Sequence, residues 1–457
     1  MEVRLLSPAL FSLLGETIGA PSNVASHASN RPIDPDAARE FAVKVVRRLR
    51  AAGFTAYWAG GSVRDILLGR LPKDYDVATS ARPEEVRSLF GRRRTIPIGA
   101  AFGIVTVVGP RRAGQVEVAT FRRDSPYVDG RHPDHVEYAS PEEDARRRDF
   151  TINGLFYDPL VDDPSARLID YVGGRRDIER RILRTIGDPH ERFGEDWLRM
   201  LRAVRFTATY QLTPDRSMIE AVRAHADKIL GISAERITAE LRWMLVHASR
   251  RRAVELLHEW HLLAEIAPQL DQLAETPAWE EQLDILERLE SCDFALSLAV
   301  LLETLARTDR PRLMVRSVTR RWRLSNAERD TVVWLLERRG LLDDVERRKW
   351  SELQPVVVDE RFARLADWAV AAAQVRGQST EPLEALIRRS RLPRETVDPP
   401  PLLTGDDLTA AGWKPGPRFG RVLRAVRSAQ LDEQITTREE ALAMARRLVR
   451  SELPEDR

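Results

Sequence analysis

From Pro35 to Arg50 apolar residues recur every three or four positions (Ala38, Phe41, Val45, Leu49), the spacing of one face of an α-helix, and Gly53 closes it. The period then changes. Phe54 to Ala59 reads as a short buried strand and Val63 to Leu68 as a short helix closed by Gly69. Ile104 to Val108 and Val116 to Phe121 read as the arms of a β-hairpin that turns at Gly109 to Gly114. Strand-like segments alternate with turns and helices as far as Asp158. After Asp188 helix follows helix, with turn signals between them and few β-branched runs. The expected class is α+β, a mixed-sheet head followed by an all-helical remainder. Two helix starts in that remainder carry the reciprocal N-cap signature, Ser325 with Glu328 and Thr437 with Glu440. Three consecutive prolines in "VDPPPLL", residues 397 to 403, predict a stiff spacer before a small helical tail.

Composition changes this picture only modestly. The chain has 457 residues, 31% charged and 43% hydrophobic, which suits a folded protein of several domains. Only five of its 72 basic residues are lysines. Arginine suits bidentate recognition of phosphates and bases, although a GC-rich genome produces the same bias. The single cysteine, Cys292, excludes an internal disulfide framework and a cysteine-based zinc site, and a reducing cytoplasm fits best. The apolar run near the start is interrupted by Glu2, Pro8 and Glu16, unlike a secretory signal, and residues 1–33 read as a disordered extension. No window approaches about 20 uninterrupted apolar residues, so no membrane span is expected.

Candidate chemistry concentrates in "FTAYWAGGSVRDILLGRLPKDYDVAT", residues 54 to 79. Gly60, Gly61 and Ser62 form a strand-to-helix turn that allows close backbone approach and offers free N–H groups to an anion such as a phosphate. A tight turn with a capping serine explains the same residues. Asp74 and Asp76 follow, one residue apart. In a strand both project on one face while Tyr75 and Val77 point to the core. Two carboxylates so close repel one another, and hard divalent cations offset that repulsion, as in two-metal nucleotidyl transfer. A solvated pair on an edge strand is the alternative. Glu117 alternates with Val116 and Val118, so it faces away from them and joins the aspartates if the hairpin lies beside their strand.

"GGSVRDILLGRLPKDYDVAT", "VEVATFRRDSPYVDGRHP", "RRRDFTINGLFYD" and "ERFGEDWLRMLRAVRF" resemble, in order and spacing, the motifs of class II tRNA nucleotidyltransferases and bacterial poly(A) polymerases. The similarity spans roughly residues 35 to 250 and returns in the tail from Pro401 to Leu442. It implies a polymerase-β-like nucleotidyltransferase head at 34–187, a helical nucleotide-selecting neck at 188–252, a helical body at 253–396 and an RNA-binding tail at 397–457. It also implies two magnesium ions at Asp74 and Asp76, assisted by Glu117. Gly61, Arg64 and Arg148 would contact the nucleotide, with Asp149 and Asn153 near its ribose.

The segment "FGEDWLRMLRAVRF" can be read by donor and acceptor chemistry. On a helix Asp196, Arg199 and Arg202 would share a polar stripe, with Phe193, Trp197, Leu201 and Val204 on the buried side. A carboxylate beside a guanidinium presents acceptor next to donor, which complements cytosine and adenine but not guanine or uracil. A helix with an ordinary internal ion pair is the plainer explanation. In the family Asp196 and Arg199 match the base-reading pair, with Arg202 and Arg205 nearby. Glu235 and Arg236, in the helix that follows, read as structural support.

The expected activity is therefore addition of CCA to tRNA from CTP and ATP, with A-addition alone or poly(A) synthesis as alternatives. The segment Arg93 to Val108 and the long polar stretch Arg123 to Arg147 favour full CCA addition. Expected partners are the acceptor stem and elbow of tRNA, recognised through shape and phosphates, with no protein partner implied. A nucleotidyltransferase acting on a small molecule, or an inactive RNA-binding module, would keep only part of these motifs.

Overall fold

A computed structural model describes residues 33–97, 103–124, 136–307, 311–319, 322–413 and 416–451. The expected N-terminal extension, the centre of the segment Arg93 to Val108 and residues 125–135 of the long polar stretch lie outside the described residues. The chain divides into two compact units, the first ending at Asp271 and the second starting at Gln272.

The first unit opens with helix α1 (Pro35–Ala51). Asp34 starts it by accepting the N–H groups of Asp36 and Ala37, and proline occupies a position where no donor is needed. Its buried residues Ala42, Val45, Val46 and Leu49 face a mixed sheet. The strands are β1 (Ala56–Ala59), β2 (Asp76–Thr79), β3 (Thr95–Ile96), β4 (Ile104–Val108), β5 (Gln115–Thr120), β8 (Leu155–Tyr157) and β9 (Leu168–Asp170), while β6 (Arg122–Asp124) and β7 (Val136–Tyr138) pair as a separate hairpin. The main sheet runs β3-β4-β5-β2-β1-β8-β9. Only β2 and β5 are parallel neighbours in it, and their register sets Asp76 opposite Glu117. The expected hairpin 104–121 is present, with Val108 opposite Gln115. Trp58, 1% exposed, is held between Tyr75 and Tyr157, with ring centroids 4.7 and 5.6 Å away.

Two expectations need correcting at the sheet. The first strand begins at Ala56, two residues later than read. More importantly, Asp74 precedes β2 and lies outside it. The ladder between β1 and β2 ends at Ala59 opposite Asp76. At Gly60 the chain turns away into helix α2 (Gly61–Leu67), with φ 66° and ψ −127°, so residues 74 and 75 have no strand to pair with. The alternation nonetheless holds through Tyr75 and Val77, which are buried, while Asp74 is exposed and Asp76 half-buried.

Helices α3 (Pro83–Phe90), α4 (Pro141–Arg146) and α5 (Gly174–Glu179) complete the sheet region, and apart from a parallel pair of two-residue strands, Ile182–Leu183 and Thr213–Pro214, the elements that follow in the unit are helical. The helices that matter for the site are α6 (Pro189–Glu195), α7 (Leu198–Tyr210), α8 (Arg216–Ala224) and α9 (Ala234–Leu245), followed by α10 (Arg250–Glu259). In the second unit, helices Phe294–Ala306 and Phe362–Val375 bury Leu296, Leu298 and Trp368 at 0% exposure. Both expected capping boxes form, at Ser325 with Glu328 and at Thr437 with Glu440. The proline run is anchored rather than free: Arg427 donates to the Pro399 carbonyl at 2.7 Å and Gln430 to that of Pro400 at 2.7 Å.

Candidate active site

The turn after β1 is shaped by what glycine lacks. A Cβ on Gly60 would stand 3.1 Å from an Nη of Arg148 and 4.0 Å from Oδ2 of Asp76, so the main chain, a cation and a carboxylate meet at one point. The positive φ is the second reason glycine is needed there. Ser62 does not cap the helix. Its hydroxyl is buried and donates to the Ala59 carbonyl at 3.1 Å, bracing the turn from inside, and Gly60 occupies the cap position without a side chain.

Asp76 and Glu117, on neighbouring parallel strands in register, point to one side, and Asp74 adds a third carboxylate from the bend ahead of β2. Among the described residues no three such groups converge as a ready-made metal cage. Burial pushes the Asp76 carboxyl up to about 6, and the charges of Glu117 and Asp74 add to that against the opposing pull of Arg148. An acid so placed gains from any cation brought to it. Among the described residues neither Asp74 nor Asp76 has an ion-pair partner. Arg148 is itself committed to Asp144, at 2.9 Å, to the Asn153 carbonyl at 3.3 Å and to the face of Phe156.

Behind this cluster lies a chain of paired charges. Arg64, 7% exposed, donates to Asn153 Oδ1 at 2.8 Å, to Asp65 at 2.9 Å and to the Tyr210 hydroxyl, and it stacks over the rings of Phe206 and Tyr210. Asn153 passes a hydrogen bond to Asp149 at 3.0 Å, and Asp149 accepts two from Arg202, at 2.8 and 2.7 Å. Glu240 on α9 then binds Arg205 at 2.6 Å and approaches Arg202 at 3.8 Å. Burial alone would raise Asp149, but Arg202, Asn153 and Arg199 hold it down at about 2. Arg64, Asp149 and Asn153, for which the resemblance implies places at the nucleotide and its ribose, are thus bonded to one another and to Tyr210 and Arg202.

The base-reading segment departs from expectation in one respect. Asp196 is not on a helix with Arg199: it sits in the hinge between α6 and α7, with extended angles of φ −155° and ψ 103°. Aspartate competes well for free helix N–H groups, and its Oδ1 accepts from Leu198 N at 3.1 Å. Its Oδ2 accepts from Arg236 at 2.6 Å, which gives Arg236 the supporting place expected for it. Arg199 is held by the Glu195 carboxylate and donates to the Arg192 carbonyl at 2.8 Å. Asp196 and Arg199 therefore stand near one hinge, each engaged by a different partner. Phe193, Leu201 and Val204 are fully buried, while Trp197 is half-buried against His225.

Sequence reasoning missed Asp144, Glu195, Tyr210 and Glu240. Asp144, 1% exposed, receives Arg147 at 2.8 Å as well as Arg148, and these two cations hold it low against its burial. Its spacing of three and four residues from them on a helical stretch was a readable signal. Glu240 had none, because its partners lie 35 and 38 residues away.

Comparison with known proteins agrees with these motifs. Residues 56–184 match the "Poly A polymerase head domain" family model. Residues 211–273 match that of the "Probable RNA and SrmB- binding site of polymerase A", and residues 297–445 that of tRNA nucleotidyltransferase domain 2. The CCA-adding enzyme of Streptococcus thermophilus is 32% identical over 413 residues, covering 88% of this chain and 94% of that protein. That of Geobacillus kaustophilus is 33% identical over 412 residues, covering 88% and 95%. A crystal structure of the Bacillus stearothermophilus CCA-adding enzyme in complex with CTP superposes with a TM-score of 0.73 at 29% identity, covering 90% of this chain and 98% of that one. The chain belongs to the CCA-adding enzyme family of tRNA nucleotidyltransferases.

Proposed function

We propose that this protein adds CCA to the 3′ end of tRNA from CTP and ATP, without a nucleic-acid template, and that Asp74 and Asp76 hold two magnesium ions for the reaction. The observation that carries this reading is the in-register pair Asp76 and Glu117 beside Gly60 and Arg148, with Asp76 raised to about 6 by burial and by the charge of Glu117. Carboxylate oxygens without a complete protein cage suit magnesium, which keeps water and substrate phosphates among its ligands. When bound, the ions supply charge neutralisation at the triphosphate and a more acidic primer 3′-hydroxyl.

The chain's own residues do the rest. Gly60 and Gly61 let the triphosphate lie against the main chain, and Arg148 faces the charge that grows on the departing pyrophosphate. Glu117 strengthens the negative field that recruits cations to Asp76. Asp196 accepts the exocyclic amino group of cytosine or adenine and Arg199 donates to the adjacent ring nitrogen, exchanging their present bonds to Arg236 and Glu195. Guanine and uracil offer the reverse order and leave buried groups unpaired, at a cost of roughly 1 to 3 kcal/mol per group. The ladder through Arg202, Asp149, Asn153 and Arg64 ties this reading element to the turn that holds the triphosphate. The names of its relatives as CCA-adding enzymes, and the CTP-bound one among them, support the substrates. The cytoplasm, where tRNA matures, is the compartment this activity implies.

The test offers purified protein a tRNA transcript ending at the discriminator base, with magnesium and labelled nucleotides singly and in pairs. Two C and then one A is the expected product. A ladder of A, or A added only to a CC-ended transcript, would move the enzyme to a sister activity, and no incorporation would overturn the reading.

A further inference from the structure

The segment between α2 and Asp74, "GRLPKD", is not explained by nucleotide binding. Gly69 ends the helix with φ 71°, and the next residues run across an exposed edge: Arg70 and Lys73 are exposed and Leu71 is 82% exposed. Arg70 is nonetheless fixed in place. It donates to the Thr209 carbonyl at 3.3 Å and lies over the Tyr210 ring, 4.8 Å from its centroid, so its stem is pinned to α7 while most of its donors stay open. Among the described residues neither Arg70 nor Lys73 has an acidic partner within ion-pair distance. His247, half-buried just past the end of α9, lies where the charges of both and of the buried Arg250 reach it. Its Nδ1 accepts the Ser249 N–H at 3.1 Å and stands 2.8 Å from the Ser249 hydroxyl, so the neutral ring carries its proton on Nε2. Burial and the nearby charges of Arg70, Lys73 and Arg250 together push His247 below the usual range.

Two exposed cations without an acidic partner among the described residues thus flank Leu71 and Pro72, their charges reach His247, and the residue after Lys73 is Asp74. We propose that Arg70, Lys73 and His247 bind a backbone phosphate of the RNA primer and so set the primer terminus against the catalytic carboxylates. The assignment rests on the reading of the protein as an RNA nucleotidyltransferase and specifies which residues hold the strand being extended. A triphosphate offers the same chemistry, but its place is the Gly60 turn, where Arg148 already stands.

The experiment compares wild type with Arg70→Gln/Lys73→Gln and with His247→Phe, after checking that thermal unfolding is unchanged. Binding of a tRNA ending at the discriminator base is titrated without nucleotide across a salt series, and steady-state incorporation is then measured against primer and against CTP separately. The double variant should weaken primer binding roughly tenfold and flatten the slope of log affinity against log salt by about one per charge removed. KM for primer should rise while KM for CTP and the choice of base stay as in wild type, and His247→Phe should give a smaller rise of the same kind. A raised KM for CTP with unchanged primer binding would assign the cluster to the triphosphate and overturn the proposal, as would unchanged affinity and salt slope. Because the binding arm needs no catalysis, a wild type that binds tRNA but incorporates nothing would count against the proposed function and leave this site to be judged separately.

Discussion

Two aspartates of the first unit behave in opposite ways. Asp149 is enclosed by Arg202, Asn153 and Arg199 and held at about 2, whereas Asp76, with Glu117 and Asp74 beside it, is raised to about 6. The first carboxylate is satisfied by the protein and serves to join α7 to the turn at Phe150. The second is left short of positive charge, and such a deficit marks where cations and reacting phosphates are to be brought. Burial alone does not distinguish architecture from chemistry here; the completeness of pairing does.

Substitution of Asp76 should break this contrast most visibly. Asp76→Asn should lower incorporation by roughly a thousandfold or more, since metal-held charge stabilisation is lost, while tRNA binding persists. The free protein should melt no lower than wild type, because a repelled charge is removed. A variant that keeps wild-type turnover would sink the metal assignment. Asp149→Ala should do the reverse in kind. It strands Arg202 without its main partner and should destabilise the first unit by about 3 to 5 kcal/mol, read by denaturant unfolding. Asp196→Ala should relax selection against GTP and UTP by roughly ten- to a hundredfold, in keeping with one or two unpaired groups; unchanged selectivity would remove Asp196 from base reading.

The smallest effect is one of pH. Asp76 must lose its proton to receive a cation, so incorporation should fall about tenfold per unit as pH drops below about 6, and excess magnesium should move that limb lower. For stability the signs are opposite. The raised Asp76 favours folding of the metal-free protein as pH falls through 6 toward 4, whereas the stabilisation from the depressed Asp149 is present above about 4 and fades as pH falls toward 2.

Much of this is legible in the chain's local pattern. The hairpin 104–121, the helix from Pro35, both capping boxes and the glycine turn follow from spacing and turn chemistry, and they appear where expected. Alternation alone assigns Glu117 to the active face. The same alternation misplaces Asp74 in a strand, and helical spacing misplaces Asp196 on a helix, because both positions depend on a neighbouring segment: the departure of the chain at Gly60 in one case, the grip of Arg236 from 40 residues away in the other.

What the sequence by itself determined is therefore the periodic part, namely which segments form helices and strands, where they stop, and which residue types could bind phosphate, metal and base. Only the tertiary structure decided which charges are paired. Whether Asp76 stands at about 6 or at about 2, whether Arg64 reaches outward or inward, and whether Arg70 settles over Tyr210 all depend on contacts between residues far apart in the chain, and electrostatic energies follow distance in space, which local pattern does not encode.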